Sequence, residues 1–146
     1  MAQKSMTGTC LCNAITYRID LPASEPTPKV ILCHCINCKR YTGSGFSANI
    51  VVPKSGLHWT KGQPKLFIDK SDEGLDVPRM FCGDCGAHFT SEPSGDHGRI
   101  VIKTGTLDEP YRQECGELVV ELWCKRKDKW VDAMKEENVQ RLDASM

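Results

Sequence analysis

The chain has 146 residues, with 19 basic and 19 acidic side chains, a formal net charge of zero and a near-neutral isoelectric point. That length suits one domain, taken here as residues 1–146 with a core over about 6–134, and it buries roughly 70% of the unfolded surface, so a core forms without covalent staples. The balanced charge argues against the clustered basic face that nucleic-acid binding needs. No stretch nears the ~20 apolar residues of a membrane span, and the first eight residues hold no apolar leader run. A soluble, cytoplasmic protein is expected, in whose reducing surroundings nine cysteines point to metal ligation or catalysis rather than disulfides.

In chain order, a C-x-C at Cys10 and Cys12 leads residues 9–19. Ile15, Tyr17 and Ile19 fall on one side and Thr16 and Arg18 on the other, the period of a half-buried strand. Gly8 suits the turn that presents the two sulfurs. Three prolines make residues 21–28 a loop. Residues 29–32 read as a short strand that delivers the chain to Cys33-His34-Cys35-Ile36-Asn37-Cys38-Lys39-Arg40, a C-x-C-x-x-C cluster. Residues 41–45 read as a flexible turn and 46–52 as a strand stopped by Pro53; 57–60 and 65–69 are short strands. A polar loop, 70–76, leads to Arg79-Met80-Phe81 and the C-x-x-C of Cys82 and Cys85. Gly86 follows, where a turn wrapping its amides around thiolates needs positive φ. Residues 88–90, 99–103 and 117–123 read as further strands. From Asp128, Trp130, Val131 and Met134 share one helical face, or else the polar run to Met146 is a frayed tail. Short strands at roughly 8–12 residue spacing predict a mainly β fold.

A closed structural zinc site takes four ligands from two short hairpin-like pieces. Cys10 and Cys12 with Cys82 and Cys85 meet that description, although Cys33, Cys35 and Cys38 could share a site with Cys82 and Cys85 instead. If the first four close one site, three cysteines remain together. Three protein ligands plus an open position is the arrangement of a catalytic zinc, which polarises a carbonyl or deprotonates a bound thiol. A fourth ligand such as His34 would close that site, and a metal-free trio would be redox-active. His34 is a candidate proton shuttle, but an outward-facing, solvated histidine is the expected state. Lys39-Arg40 reads either as an anion site or as two solvated charges. Cys115 and Cys124 are expected as buried free cysteines, and His58, His88 and His97 as structural residues.

The pieces Gly8 to Tyr17, Cys33 to Arg40 with Thr42-Gly43-Ser44, Cys82 to Gly86, Gly105 to Pro110 and the ending from Glu121 to Trp130 together resemble the glutathione-dependent formaldehyde-activating enzyme family, which is similar in fold to Mss4 and includes a centromere-protein-V branch. The resemblance implies an Mss4-like zinc-binding β-sheet domain with two zinc ions per chain. Cys10, Cys12, Cys82 and Cys85 would hold the structural ion, and Cys33, Cys35 and Cys38 the catalytic one. It also implies carbon–sulfur lyase chemistry that joins glutathione and formaldehyde as S-hydroxymethylglutathione. The expected partner is a small-molecule thiol or aldehyde adduct, with no nucleic acid and no membrane. Two readings compete: a non-enzymatic zinc-binding protein-interaction module, marked by an exposed apolar patch and a closed second zinc, and a thiol sensor that loses zinc on mild oxidation.

Overall fold

The computed structural model describes residues 4–144; residues 1–3 and 145–146, the outer ends of the start and tail read above, lie outside the described residues. The expected alternation holds along β2 (Thr16–Leu21), where Tyr17, Ile19 and Leu21 are buried and Arg18 is exposed. β2 pairs antiparallel with β1 (Lys4–Thr9) on one side and with β5 (Leu57–Lys61) on the other, making a three-stranded sheet. The second sheet has seven strands. They are β3 (Val30–Cys33), β4 (Ser47–Pro53), β6 (Lys65–Lys70), β7 (Asp76–Phe81), β8 (His88–Ser91), β9 (Arg99–Lys103) and β10 (Leu118–Leu122), in the order β10-β3-β4-β9-β8-β7-β6.

The core lies between the sheets. Ile15, Tyr17, Ile19 and Leu21 meet Ile50, Val52, Phe89, Ile100 and Ile102 of the larger sheet. Tyr17 packs edge-on against Trp59 and Phe89, each with ring centroids at 5.8 Å, a geometry that the ring quadrupoles favour. Its hydroxyl shares a 2.8 Å hydrogen bond with Thr106 Oγ1, so the polar end is not left unpaired in the core.

β1 is a strand that the alternation does not announce, since Met6 is its one large apolar residue. Gly8 is not a turn residue but a strand residue lying against the Tyr17 ring, where an added Cβ would fall 2.1 Å from Cζ. The two short strands at 57–60 and 65–69 are present as β5 and β6, but they belong to different sheets. The late strand at 117–123 is present as β10. It runs parallel to β3 at one edge of the sheet, and Leu118, Val119, Val120 and Leu122 remain exposed. β6, at the opposite edge, exposes Leu66, Phe67 and Ile68.

Short helices fill the connections: α1 (Ile36–Thr42), α2 (Tyr111–Glu114) and α3 (Lys129–Asp132). The helical reading after Asp128 is met by α3, although only Val131 of the expected face is buried, while Trp130 and Met134 stay exposed. Trp130 instead covers Gly45 and stands 6.3 Å from the Phe46 ring.

Candidate metal centre

Two turns carry the first four cysteines. Cys10 directly follows β1, and the chain reverses through Asn13, whose φ is +62°, with the Asn13 amide donating to Cys10 O and the Cys10 amide to Ile15 O, both at 3.1 Å. In the β7–β8 turn the Gly86 amide donates to Cys82 O, and the Cys82 amide donates to Ala87 O, both at 2.9 Å. Gly86 has φ of +76°, as the turn was expected to need. The two turns meet. Cys10 and Cys12 Sγ lie 3.6 Å apart, Cys12 and Cys82 Sγ 3.7 Å apart, and all four sulfurs, Cys85 included, lie within 4.8 Å of one another. A tetrahedral zinc with bonds of about 2.3 Å needs its sulfurs about 3.8 Å apart, so this donor set fits the ion.

Backbone amides favour the thiolate at Cys10, Cys12 and Cys85. The Ile15 amide donates to Cys10 Sγ at 3.3 Å. The Cys85 thiol is held down to about 6, first by the Ala87 amide and then by its neighbours in the cluster. The Ala14 amide favours the Cys12 thiolate too, but desolvation and the adjoining sulfurs prevail and push that thiol up to about 12. Negative charge therefore concentrates on some sulfurs at the expense of others, a conflict that a divalent cation removes.

The second cluster assembles where β3 runs into α1. Residues 36–42 form a helix, so of the flexible turn expected over 41–45 only the part from Gly43 onward is a turn. Cys35 is the N-cap of α1, and its Sγ accepts from the Cys38 amide at 3.2 Å; Gly43, with φ of +67°, closes the C-terminus by donating to Lys39 O at 2.8 Å. Cysteine is outside the usual Ser, Thr, Asp and Asn capping set, and seven residues are too few to show an apolar stripe, so the helix left no pattern to read. Cap, first turn and strand end bring Cys33, Cys35 and Cys38 Sγ within 4.8 Å of one another; among the described residues no fourth ligand joins that group.

His34 lies outside that group, and its position corrects the expectation of a solvated side chain. It is fully buried, its Nε2 hydrogen-bonds Glu121 Oε1 at 3.0 Å, its amide donates to Leu122 O at 3.0 Å, and Nδ1 has no partner. It fastens β10 beside the cluster. The bonds from His34 and then from Lys127 hold the Glu121 carboxyl below its ordinary value. Of the Lys39-Arg40 pair, Lys39 is not a free anion site, since its ammonium donates to Asp128 Oδ1 at 2.7 Å, while Arg40 is exposed. Cys115 is buried as expected, whereas Cys124 is exposed because it follows an edge strand.

Lys103, Arg79 and Tyr41 were not singled out by any motif. Lys103 is buried, paired across from Asn49 in the β4–β9 register, and donates to Asn49 Oδ1 at 2.7 Å and Ser91 Oγ at 3.1 Å, both neutral groups. Burial lowers its ammonium to about 8, while the nearby sulfurs of Cys38, Cys33 and Cys35 pull the other way. Reciprocally, the Cys38 thiol is held far below its ordinary value, first by hydrogen bonds from Cys33 and Cys35, then by Ser47 and the charge of Lys103. Cys33 is pushed up by the same exchange with Cys35 and Cys38. Tyr41 pins α1 to the sheet by donating to Met80 O at 2.6 Å, with Arg79 stacked 4.8 Å from its ring centroid. A buried cation facing three thiols is the charge pattern expected around a zinc held by three thiolates, whose net charge is negative. Cys35 also borders an open cavity of about 430 Å³, within the size range of small-molecule sites.

A sequence model described as glutathione-dependent formaldehyde-activating enzyme matches residues 5–126, a span containing both cysteine clusters. The chain belongs to the glutathione-dependent formaldehyde-activating enzyme family. Relatives named "Putative glutathione-dependent formaldehyde-activating enzyme" include one from Penicillium rubens, 28% identical over 73% of this chain and 56% of its own length. Another, from Sordaria macrospora, is 34% identical over 52% of this chain and 35% of its own. The chain thus spans about half or less of the curated relatives it matches. A crystal structure of a Rhodobacter sphaeroides protein superposes with a TM-score of 0.58 at 20% identity, over 80% of this chain and 99% of that one, a likeness of fold. The family span ends at Arg126, so α3, whose Trp130 covers Gly45, lies beyond it.

Proposed function

We propose that the protein is a zinc-dependent carbon–sulfur lyase of the S-hydroxymethylglutathione synthase type, acting on a glutathione or other thiol adduct in the cytoplasm. The observation that carries this reading is a three-sulfur group, with no fourth ligand among the described residues, one of whose members borders an open cavity. Cys33, Cys35 and Cys38 would hold the catalytic ion, and Cys10, Cys12, Cys82 and Cys85 a structural one. A zinc ion bound by the three thiolates supplies Lewis acidity, which lowers the pKa of an incoming thiol and polarises a carbonyl oxygen. In the synthetic direction the thiol sulfur bonds the aldehyde carbon, the carbonyl π bond breaks, and the thiol proton ends on oxygen. The chain's own contribution is positional: α1 fixes two of the sulfurs, and Lys103 offsets their charge.

Cys35→Ser tests the assignment. The variant is expected to lose turnover of glutathione with formaldehyde while keeping its circular dichroism spectrum; turnover at the wild-type rate would sink the role. A rival reading, a zinc-bearing protein-interaction module, draws on the exposed apolar edges of β6 and β10. Zinc-counted native mass spectrometry separates the two. Two zinc ions and a specific glutathione complex support the enzyme; two zinc ions without glutathione favour the module.

A further inference from the structure

Arg79 lies on β7, only 5% exposed, and lines the same cavity as Cys35. Its Nε donates to Asp69 Oδ2 at 2.9 Å, while Nη1 is buried without any hydrogen-bond partner. Asp69 is already shared: Oδ2 also accepts from Asn37 Nδ2 at 3.0 Å, and Oδ1 from the Lys70 amide at 2.8 Å. A buried guanidinium donor left unpaired carries a desolvation cost, which an acceptor arriving with a ligand would remove. Arg126, in the turn after β10, lines the cavity as a second cation.

We propose that this cavity is a carboxylate subsite, in which the free edge of the Arg79 guanidinium, assisted by Arg126, binds a carboxylate carried by the thiol substrate while its sulfur lies at the three-cysteine centre. The sulfur end of this arrangement rests on the function proposed above; the carboxylate end rests on Arg79 and Arg126. A planar, forked donor matches a carboxylate in a way a lysine ammonium does not, and stacking on Tyr41 holds the fork in one plane. Asp72 and Glu73 in the β6–β7 turn also border the cavity. Both are exposed, so solvent and salt screen their repulsion of an anion far more than they screen the buried Arg79. An ammonium on the same ligand would find its counter-charge there.

NMR titration of the zinc-loaded, 15N-labelled protein tests this with three probes: N-acetylcysteine, its neutral amide, and N-acetylalanine, which keeps the carboxylate but has no thiol. N-acetylcysteine is expected to bind at least about tenfold tighter than the amide, the range of one charged hydrogen bond. Arg79→Lys should shrink that ratio below about threefold without weakening the amide, because the charge stays and the fork is lost. Arg126→Gln, at an exposed position, should reduce the ratio by about two- to threefold. It stands in as the deciding variant if Arg79→Lys does not fold. Equal binding of acid and amide by the wild type overturns the subsite and leaves the thiol reading intact. Arg79-dependent binding of N-acetylalanine that a thiol does not improve supports the subsite and overturns the thiol reading. No spectral change with any probe overturns the subsite.

Discussion

Lys103 carries a positive charge into the interior, yet its hydrogen bonds go to Asn49 and Ser91, which are neutral. The opposite charge comes from the sulfurs of Cys33, Cys35 and Cys38, so the lysine and the trio depend on each other. Lys103→Met should weaken zinc at the trio by about tenfold to a hundredfold, the usual cost of losing a group behind the ligands. Zinc at Cys10, Cys12, Cys82 and Cys85 should be unaffected, and competition with a chromophoric chelator reads both sites. Cys82→Ser should behave differently. It removes a buried member of the group joining the two turns, and we expect insoluble or unfolded protein by circular dichroism; a soluble, native-like variant would contradict the structural assignment. At this scale the cysteine clusters were legible because C-x-C and C-x-x-C are local spacings. Lys103 and Arg79 were not, because a charged residue in a strand reads the same whether it faces solvent or a buried cluster.

Turns and caps set where the sulfurs point. Gly86 has φ of +76° and open space where a Cβ would stand, so Gly86→Ala meets only the cost of left-handed backbone, about 1–2 kcal/mol. For a domain of this size that lowers the melting temperature by several degrees, at about 2–4 °C per kcal/mol. Gly8→Ala fails for a different reason. Its Cβ would sit 2.1 Å from Tyr17 Cζ, and overpacking of this kind costs about 1–3 kcal/mol, readable as a lower denaturation midpoint in urea. Elements with a strong period were readable from the sequence: β2 alternates and β9 is β-branched. β1 and α1 were not, one because a glycine occupies a core-facing strand position and the other because its cap is a cysteine that also belongs to the site.

The molecule as a whole should be sensitive to acid. Cys85 is held at about 6 against an ordinary value of 9.0. A thiol lowered by folding contributes stability that is fully present above pH 9 and is lost as pH falls toward 6, because the unfolded chain takes up the proton first. The lowered thiol of Cys38 acts in the same direction. The raised thiol of Cys12 changes stability only as pH rises from 9 toward 12, so it does not offset this loss. Thermal unfolding of the metal-free protein should therefore shift to lower temperature between pH 9 and pH 6, and zinc added at pH 8 should raise it. An unchanged melting temperature across that range would mean that the thiolates do not stabilise the fold.

By itself the sequence determined the candidate ligands and the fold class: seven cysteines in short spacings, a positive-φ glycine where a turn must wrap around sulfur, and enough alternating strand to build a mainly β fold. Those are local properties, readable within a few residues. Only the tertiary structure decided that Cys10 and Cys12 meet Cys82 and Cys85, that His34 is buried against Glu121, and that Lys103 and Arg79 lie on the side of the sheet facing α1. These are contacts between distant segments, set by strand order and register across seven strands. A slip of one residue in that register would turn Lys103 and Arg79 to the opposite face.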